Sequence, residues 1–174
     1  DGGNVTGALS LNSDNNMLLY NEYAGKLFLG VGNSAKMTII NNGNVGIGDT
    51  TPSYKLDVSG TIRATGDVVA YSDIRVKKNI NTIENAVDTV NKLRGVTYQK
   101  KDDDEYGIGV IAQELEKVLP HLVKTDEKGM KAVAYGNITG VLIEAIKEQD
   151  VKISEQDVRI SRLEALVEQM LNSK

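Results

Sequence analysis

The sequence lacks cysteine and tryptophan, and it contains one phenylalanine, one histidine and two prolines. Without cysteine, neither a disulfide framework nor thiolate chemistry is open to the chain. With His121 as the sole histidine, a metal cage built from several imidazoles of one chain is excluded. No apolar run approaches membrane-spanning length, and no signal peptide is visible. We expect no cofactor and no bound metal.

The composition and net charge argue against nucleic acid and membranes as partners. The 174 residues carry a formal net charge of -4, and 40% of them are hydrophobic. This length has room for one or two domains, and so few large aromatic side chains favour an elongated or oligomeric architecture. The weak negative charge predicts no nucleic-acid partner and no membrane partner. Because the sequence begins at Asp1 rather than at methionine, we expect it to be the C-terminal part of a longer protein.

Residues 1–71 have the pattern of short strands separated by turns, and they hold 11 of the 17 glycines. The predicted strands are 8–11, 17–20, 26–29, 37–40, 54–58 and 61–63. The glycine-rich stretch 43–48 predicts turns, since no helix follows that would make it a phosphate loop. Each strand offers two or three inward positions, too few for a self-sufficient sheet. We predict an all-β trimeric fibre stalk, with a small sandwich as the alternative.

Residues 72–174 have a mixed α+β pattern. The predicted elements are a helix over 83–93, strands 96–100 and 106–111, a helix over 112–119, a hairpin of 121–124 with 130–134, and a long helix from about 137. The acidic stretch 102–105 is interpreted as a solvated loop, because it lacks the alternating oxygen pattern of a calcium loop. The chain is therefore predicted to be α+β with a long C-terminal helix after an all-β segment.

The long helix contains a heptad pattern. Apolar a positions fall at Ile146, Ile153, Ile160 and Val167, and d positions at Gln149, Gln156, Leu163 and Met170. Opposite charges at g and the following e, Lys152 with Asp157 and Arg159 with Glu164, suit parallel helices in register. Isoleucine at a and leucine at d favour two strands, but glutamine at d weakens that preference. Val151 and Val158 widen the apolar face toward a third helix or the domain body. The alternative is a helix that packs within its own chain.

Three sequence pieces carry a family resemblance: 72–80, 106–120, and 131–138 leading into 142–147. In this order, and followed by heptads, they resemble the C-terminal intramolecular chaperone auto-processing domain of phage tail spikes and tail fibres, the endosialidase type. The resemblance covers about 103 residues. Leu115 and His121 depart from the usual residues. The stretch from 42 to 61 is similar to the fibre-stalk sequence that often precedes this domain.

The resemblance implies a homotrimer that cleaves itself immediately before a serine. The scissile bond would be Tyr71–Ser72, the catalytic pair Ser72 and Lys77, and Asp73 a supporting residue. The domains would be 1–71, a fibre stalk or tip, and 72–174, the chaperone with a coiled coil from about 138. The fibre would belong to the virion and bind a host-surface glycan or receptor, and the chaperone would be released in the host cytoplasm.

The residues alone leave other interpretations open at this junction. A Ser-Asp pair usually begins a helix or turn, and adjacent lysines usually form a solvated face. Catalysis by Ser72 needs a base, and a lysine serves only when burial or a neighbouring cation lowers its pKa. Either Ser72 attacks the Tyr71 carbonyl or an activated water does. Gln113, Glu114 and Glu116 form an interface near the site or a solvated helix face.

Other functional classes follow from the same residues. The chain could be a structural tip that never cuts itself, or a tip that binds or degrades carbohydrate. Scattered acids in 1–71 do not mark a glycan-cleaving pair within one chain. A cellular self-cleaving transcription factor of the same family is disfavoured, because no basic region or membrane helix is present.

Overall fold

The computed structural model describes residues 7–11, 17–21, 25–101 and 104–173. They fall into two compact units, one on each side of the Tyr71–Ser72 bond. The first unit contains small β-sheets, and the second combines short helices, two hairpins and one long helix. The predicted α+β class with a long C-terminal helix is confirmed.

The first unit contains two sheets. Strands β1 (Gly7–Leu11) and β2 (Met17–Asn21) form an antiparallel hairpin that pairs Gly7 with Asn21. The second sheet has the order β3-β4-β5-β6, with β3 Leu27–Val31, β4 Ser34–Ile39, β5 Val45–Ile47 and β6 Leu56–Val58. Its first three strands are antiparallel, and β6 is parallel to β5.

One strand prediction in this unit is wrong, and the turn prediction for 43–48 is only partly right. Residues 61–63 form no strand, and the stretch predicted as turns contains β5. The turn is confined to 40–43, where the Gly43 N–H donates to the Ile40 carbonyl at 2.8 Å and Gly43 has a φ of +79°. After this turn the chain pairs Val45 with Ile39, so the glycine pattern marked one tight hairpin turn rather than a loop.

The first unit has a small and mostly polar interior. Among its described side chains, the buried residues are Thr38, Asn44, Gly46 and Pro52. The Asn44 side-chain amide donates to the Pro52 carbonyl at 3.1 Å, which satisfies a polar group inside. Large apolar side chains such as Phe28, Val31 and Leu56 are exposed. One copy of this unit therefore buries little apolar surface.

The second unit begins with a 3₁₀ turn at Ile74–Val76. Its helices are α1 (Ala86–Asn91), α2 (Ala112–Val118) and α3 (Tyr135–Asn172), and a second 3₁₀ turn covers Pro120–Leu122. Its strands form two antiparallel hairpins, β7 (Gly95–Gln99) with β8 (Tyr106–Val110) and β9 (Val123–Thr125) with β10 (Lys131–Val133). Apart from α1, the predicted helices and strands are present with bounds within about two residues of the prediction, and residues 121–122, predicted as strand, lie in the second 3₁₀ turn. Of the acidic loop, Asp102 and Asp103 lie outside the described residues.

The core of the second unit is formed by side chains from α1, α2, β9 and α3. Its buried apolar side chains are Ala86, Leu115, Val123, Val141 and Ala145. Helix α1 packs on the first part of α3, and α2 packs on the β9–β10 hairpin. Helix α1 is shorter than the predicted 83–93, because Asn85 adopts a left-handed conformation with a φ of +53° and ends helical geometry there.

Helix α3 extends well past this core. From Gln149 to Ser173 every side chain is exposed, a stretch of about 37 Å at 1.5 Å per residue. The prediction of a single long helix is confirmed, and its heptad a positions Ile146, Ile153, Ile160 and Val167 are all exposed. The alternative of packing within the chain is therefore wrong for this part of α3. None of the helices in the described ranges combines the length and apolarity that crossing a membrane requires.

Candidate functional site

Ser72 and Lys77 are in direct contact. Lys77 Nζ donates a hydrogen bond to Ser72 Oγ at 2.7 Å. The contact depends on the 3₁₀ turn between them, in which the Lys77 N–H donates to the Ile74 carbonyl at 3.0 Å. With three residues per turn, this conformation folds the backbone back, so that side chains five positions apart can meet.

Asp73 forms the start of this turn. It has extended backbone angles (φ -62°, ψ 138°), and its carboxylate accepts a hydrogen bond from the Arg75 backbone N–H at 2.8 Å, as a helix N-cap does. The same carboxylate accepts from Arg75 Nε at 2.9 Å and Nη2 at 2.7 Å, a bidentate pair. These Arg75 side-chain and backbone donors hold the pKa of Asp73 below its usual range. Asp73 thus supports the turn that joins Ser72 to Lys77.

The site lies open to solvent in the single chain. The Tyr71 side chain is 96% exposed, and Ser72 and Lys77 are exposed as well. Apolar side chains around them are also exposed, namely Ile74, Val76 and Ile80. In the contact between them, Lys77 Nζ is the donor and Ser72 Oγ the acceptor. The described residues thus bring the pair together without removing it from water.

The acidic residues of α2 are held in ion pairs within the second unit. Arg94 Nε donates to Glu114 Oε2 at 3.0 Å, and this contact lowers the pKa of Glu114. Lys131 Nζ donates to Glu116 Oε1 at 2.8 Å. Gln113 is exposed. In the structure, Glu114 and Glu116 therefore fix α2 to its neighbours, and their hydrogen bonds do not involve Ser72 or Lys77.

Sequence reasoning missed Glu148. Its carboxylate accepts hydrogen bonds from the backbone N–H groups of Ala86 at 2.8 Å and Val87 at 2.9 Å. These hydrogen bonds hold the pKa of Glu148 below its ordinary value, and the bond from Val87 contributes more than the bond from Ala86. Glu148 thus caps α1 from α3, across 62 residues of sequence. No local motif encodes such a contact, because donor and acceptor meet only after α1 has packed on α3.

Comparison with known proteins identifies the second unit. Residues 72–124 match the family model described as chaperone of endosialidase, which is a peptidase family. The match begins at Ser72, the residue directly after the predicted cut. The resemblance inferred from the sequence motifs is confirmed, since residues 72–124 are similar to the chaperone-of-endosialidase family.

Several curated proteins are similar to about half of this chain. The long tail fiber protein Gp37 of Escherichia phage AR1 is 40% identical over 92 residues, which are 47% of this chain and 8% of that protein. Myelin gene regulatory factor-like A of Dictyostelium discoideum is 35% identical over 101 residues, 51% of this chain and 11% of that protein. Gp37 of Enterobacteria phage M1 is 34% identical over 115 residues, 58% of this chain and 46% of that protein. The chain spans a small part of the first two relatives and less than half of the third.

Proposed function

We propose that the chain is part of a phage tail fibre whose domain 72–174 assembles three copies and then cuts the Tyr71–Ser72 bond. The observation that supports this best is the 2.7 Å contact between Lys77 Nζ and Ser72 Oγ at the first residue of the family match. The likeness to Gp37 long tail fiber proteins supports the fibre, and the division into compact units at the same bond supports domains 1–71 and 72–174.

The cut can be written with these two side chains. A neutral Lys77 amine takes the Ser72 hydroxyl proton while Ser72 Oγ attacks the Tyr71 carbonyl carbon. The bond from that carbon to the Ser72 nitrogen then breaks, and the nitrogen takes a proton and becomes a free amine. Water hydrolyses the resulting Tyr71 ester, giving a Tyr71 carboxylate and restoring the Ser72 hydroxyl. Direct attack by a water that Lys77 activates gives the same products and remains an equal alternative.

Assembly would switch this chemistry on. In one chain Lys77 is exposed, and an ammonium group has three N–H donors and no electron pair with which to act as a base. Tyr71, Ile74, Val76 and Ile80 lie close to the pair in sequence, and their exposed apolar side chains could be covered by a neighbouring chain. Covering it would remove water from the ammonium and favour the neutral amine. The reaction would then wait until the chains have assembled.

The long helix is the proposed assembly element. The side chains from Gln149 to Ser173 are all exposed in the described chain, yet the apolar ones repeat every seven residues. An isolated helix of this kind is marginal in water, whereas burial of the seam between parallel copies stabilises it. The first unit buries few apolar side chains, so the stalk would also need partner chains for stability. A C-terminal clamp would hold three chain ends at high effective concentration while the β-stalk pairs.

Cleavage would then make assembly irreversible. Once the Tyr71–Ser72 bond is cut, an unfolded stalk could no longer use its clamp to refold. The mature fibre would therefore stay folded because its unfolding is slow. In this proposal the fibre belongs to the virion, and the chaperone is released in the host cytoplasm. Binding of a host-surface glycan or receptor by 1–71 stays a prediction, which glycan-array binding of the trimer tests.

The experiment compares intact masses of freshly expressed wild type, Ser72→Ala, Lys77→Ala and Lys78→Ala, with native mass spectrometry for the oligomer. We expect wild type and Lys78→Ala to give a fragment that begins at Ser72, and Ser72→Ala and Lys77→Ala to stay full length. Lys78→Ala is the matched control, since it removes an adjacent exposed lysine. Cleavage in Ser72→Ala and Lys77→Ala would refute the catalytic pair, and an uncut wild-type trimer would support the purely structural tip.

A further inference from the structure

The segment that contains Ser72 and Lys77 is attached to the rest of its unit at one end. From 72 to 85 every side chain is exposed except the half-buried Asp73. The first fully buried residue that follows is Ala86, at 0% exposure, the first residue of α1. In the described chain, the position of Lys77 relative to the core is therefore set largely by how firmly the start of α1 is held.

The start of α1 is held by Glu148. Its Asn85 N-cap is left-handed and makes no side-chain cap of its own, so the first amides of the helix need another acceptor. Glu148 Oε1 and Oε2 accept from the Ala86 and Val87 N–H groups at 2.8 and 2.9 Å. Nearby, Ile83 Cδ1 lies 3.7 Å from where a Cβ on Gly140 would be. The two hydrogen bonds of Glu148 fasten this junction to α3.

Glu148 also lies where α3 leaves the core. The last buried α3 residue before it is Ala145, and from Gln149 onward the helix is exposed. Any partner helix that orders the exposed seam therefore orders the turn that contains Glu148. The two hydrogen bonds of the Glu148 carboxylate would then restrain the start of α1. A restrained α1 would in turn restrain residues 77 to 85, which lead to the site.

We propose that Glu148 is a positioning residue of the self-processing site, coupling association of α3 to the placement of Lys77 and Ser72. The inference rests on the proposed function, but its structural part, the anchoring of α1, does not. Loss of the anchor should misplace the pair, and misplacement by about 1 Å can slow a reaction on the order of 100-fold. We therefore expect Glu148→Gln to slow cleavage within the assembled trimer by about 10- to 100-fold.

The chain supplies its own matched control. Residues 148–151 and 155–158 are both Glu-Gln-Asp-Val, and Glu148 and Glu155 occupy the same heptad position. Glu155→Gln makes the same chemical change one heptad later, where the helix is exposed and α1 is absent. A general effect of charge or helix stability on assembly should appear in both variants. An effect through α1 should appear only in Glu148→Gln.

The test has two arms on the full chain. In the active chain, the first-order cleavage rate is measured on purified trimer of wild type, Glu148→Gln, Glu148→Ala and Glu155→Gln. We expect Glu148→Ala to be slowest, Glu148→Gln to be partly rescued through its one amide oxygen, and Glu155→Gln to match wild type. Equal rates in all four would overturn the proposal. Failure of Glu148→Gln to form trimer while Glu155→Gln assembles would overturn it too, because Glu148 would then act on assembly.

In the second arm, hydrogen exchange is measured in the Ser72→Ala background, where no cleavage is needed. Glu148→Gln should speed exchange at the Ala86 and Val87 amides and over 77–85, and Glu155→Gln should not. Unchanged exchange would overturn the anchoring by Glu148. If wild type never cleaves, the proposed function fails in the first arm, whereas this second arm still decides whether Glu148 anchors α1.

Discussion

Replacement of Ile153 by alanine tests whether the exposed stripe of α3 is an association seam. Ile153 is 48% exposed in the single chain, so about half of its transfer free energy remains to be gained when a partner covers it. Full burial of an isoleucine is worth about 1.5–3 kcal/mol, so the seam gains about 1 kcal/mol per chain and about 3 kcal/mol for three chains. Such a loss lowers the assembly constant by about 100-fold.

The substitution lowers burial in the seam but raises helix propensity, so the two effects can be told apart. Alanine is a better helix former than isoleucine, so Ile153→Ala should leave α3 at least as helical in isolation. A matched control is Glu155→Ala, which makes a truncation of similar length at an exposed position two residues further on. Loss of assembly in Ile153→Ala alone can then be attributed to the seam.

The assay is sedimentation velocity over a concentration series, in the Ser72→Ala background so that cleavage does not remove the helix. We expect the midpoint of assembly to move to higher concentration for Ile153→Ala and to stay in place for Glu155→Ala. An unchanged midpoint for Ile153→Ala would refute the interpretation of α3 as the clamp. An equal shift for both variants would indicate general destabilisation of the helix.

Three further predictions concern stability and can be measured by urea unfolding of the Ser72→Ala chain. Because hydrogen bonds from Val87 and Ala86 lower the folded pKa of Glu148, its stabilisation is complete above the ordinary glutamate pKa of 4.5 and is lost as the pH falls through the lower folded value. Wild type should therefore lose more stability than Glu148→Gln on acidification, and parallel curves would contradict this. Gly107→Ala should destabilise by about 1–3 kcal/mol, since its Cβ would lie 2.6 Å from Tyr98 Cζ. By contrast, Gly136→Ala should be neutral or stabilising, because its Cβ has nothing within 4 Å and alanine favours helix; similar losses in both glycine variants would show that the Tyr98 contact is not the cause.

Local signals in the sequence were enough to predict several elements. The heptads of α3, the two hairpins of the second unit and α2 ending before Pro120 follow from periodicity and turn residues, and all are present. The motifs from Ser72 onward also gave the family resemblance, since the order of short motifs is a property of the chain alone. At β5 local reasoning failed, because the three-residue strand is specified by pairing with β4 and β6 rather than by its own pattern.

Only the tertiary structure decided how the candidate site is held. Sequence spacing placed Ser72 and Lys77 five residues apart, but their contact needs the turn that Asp73 caps and Arg75 reinforces. The pairing of Arg75 with Asp73 likewise depends on that turn. Glu148 is the clearest case, because it satisfies two backbone amides that lie more than 60 residues away in sequence. A backbone donor carries no sequence signature, so such a contact is decided only when the helices have packed.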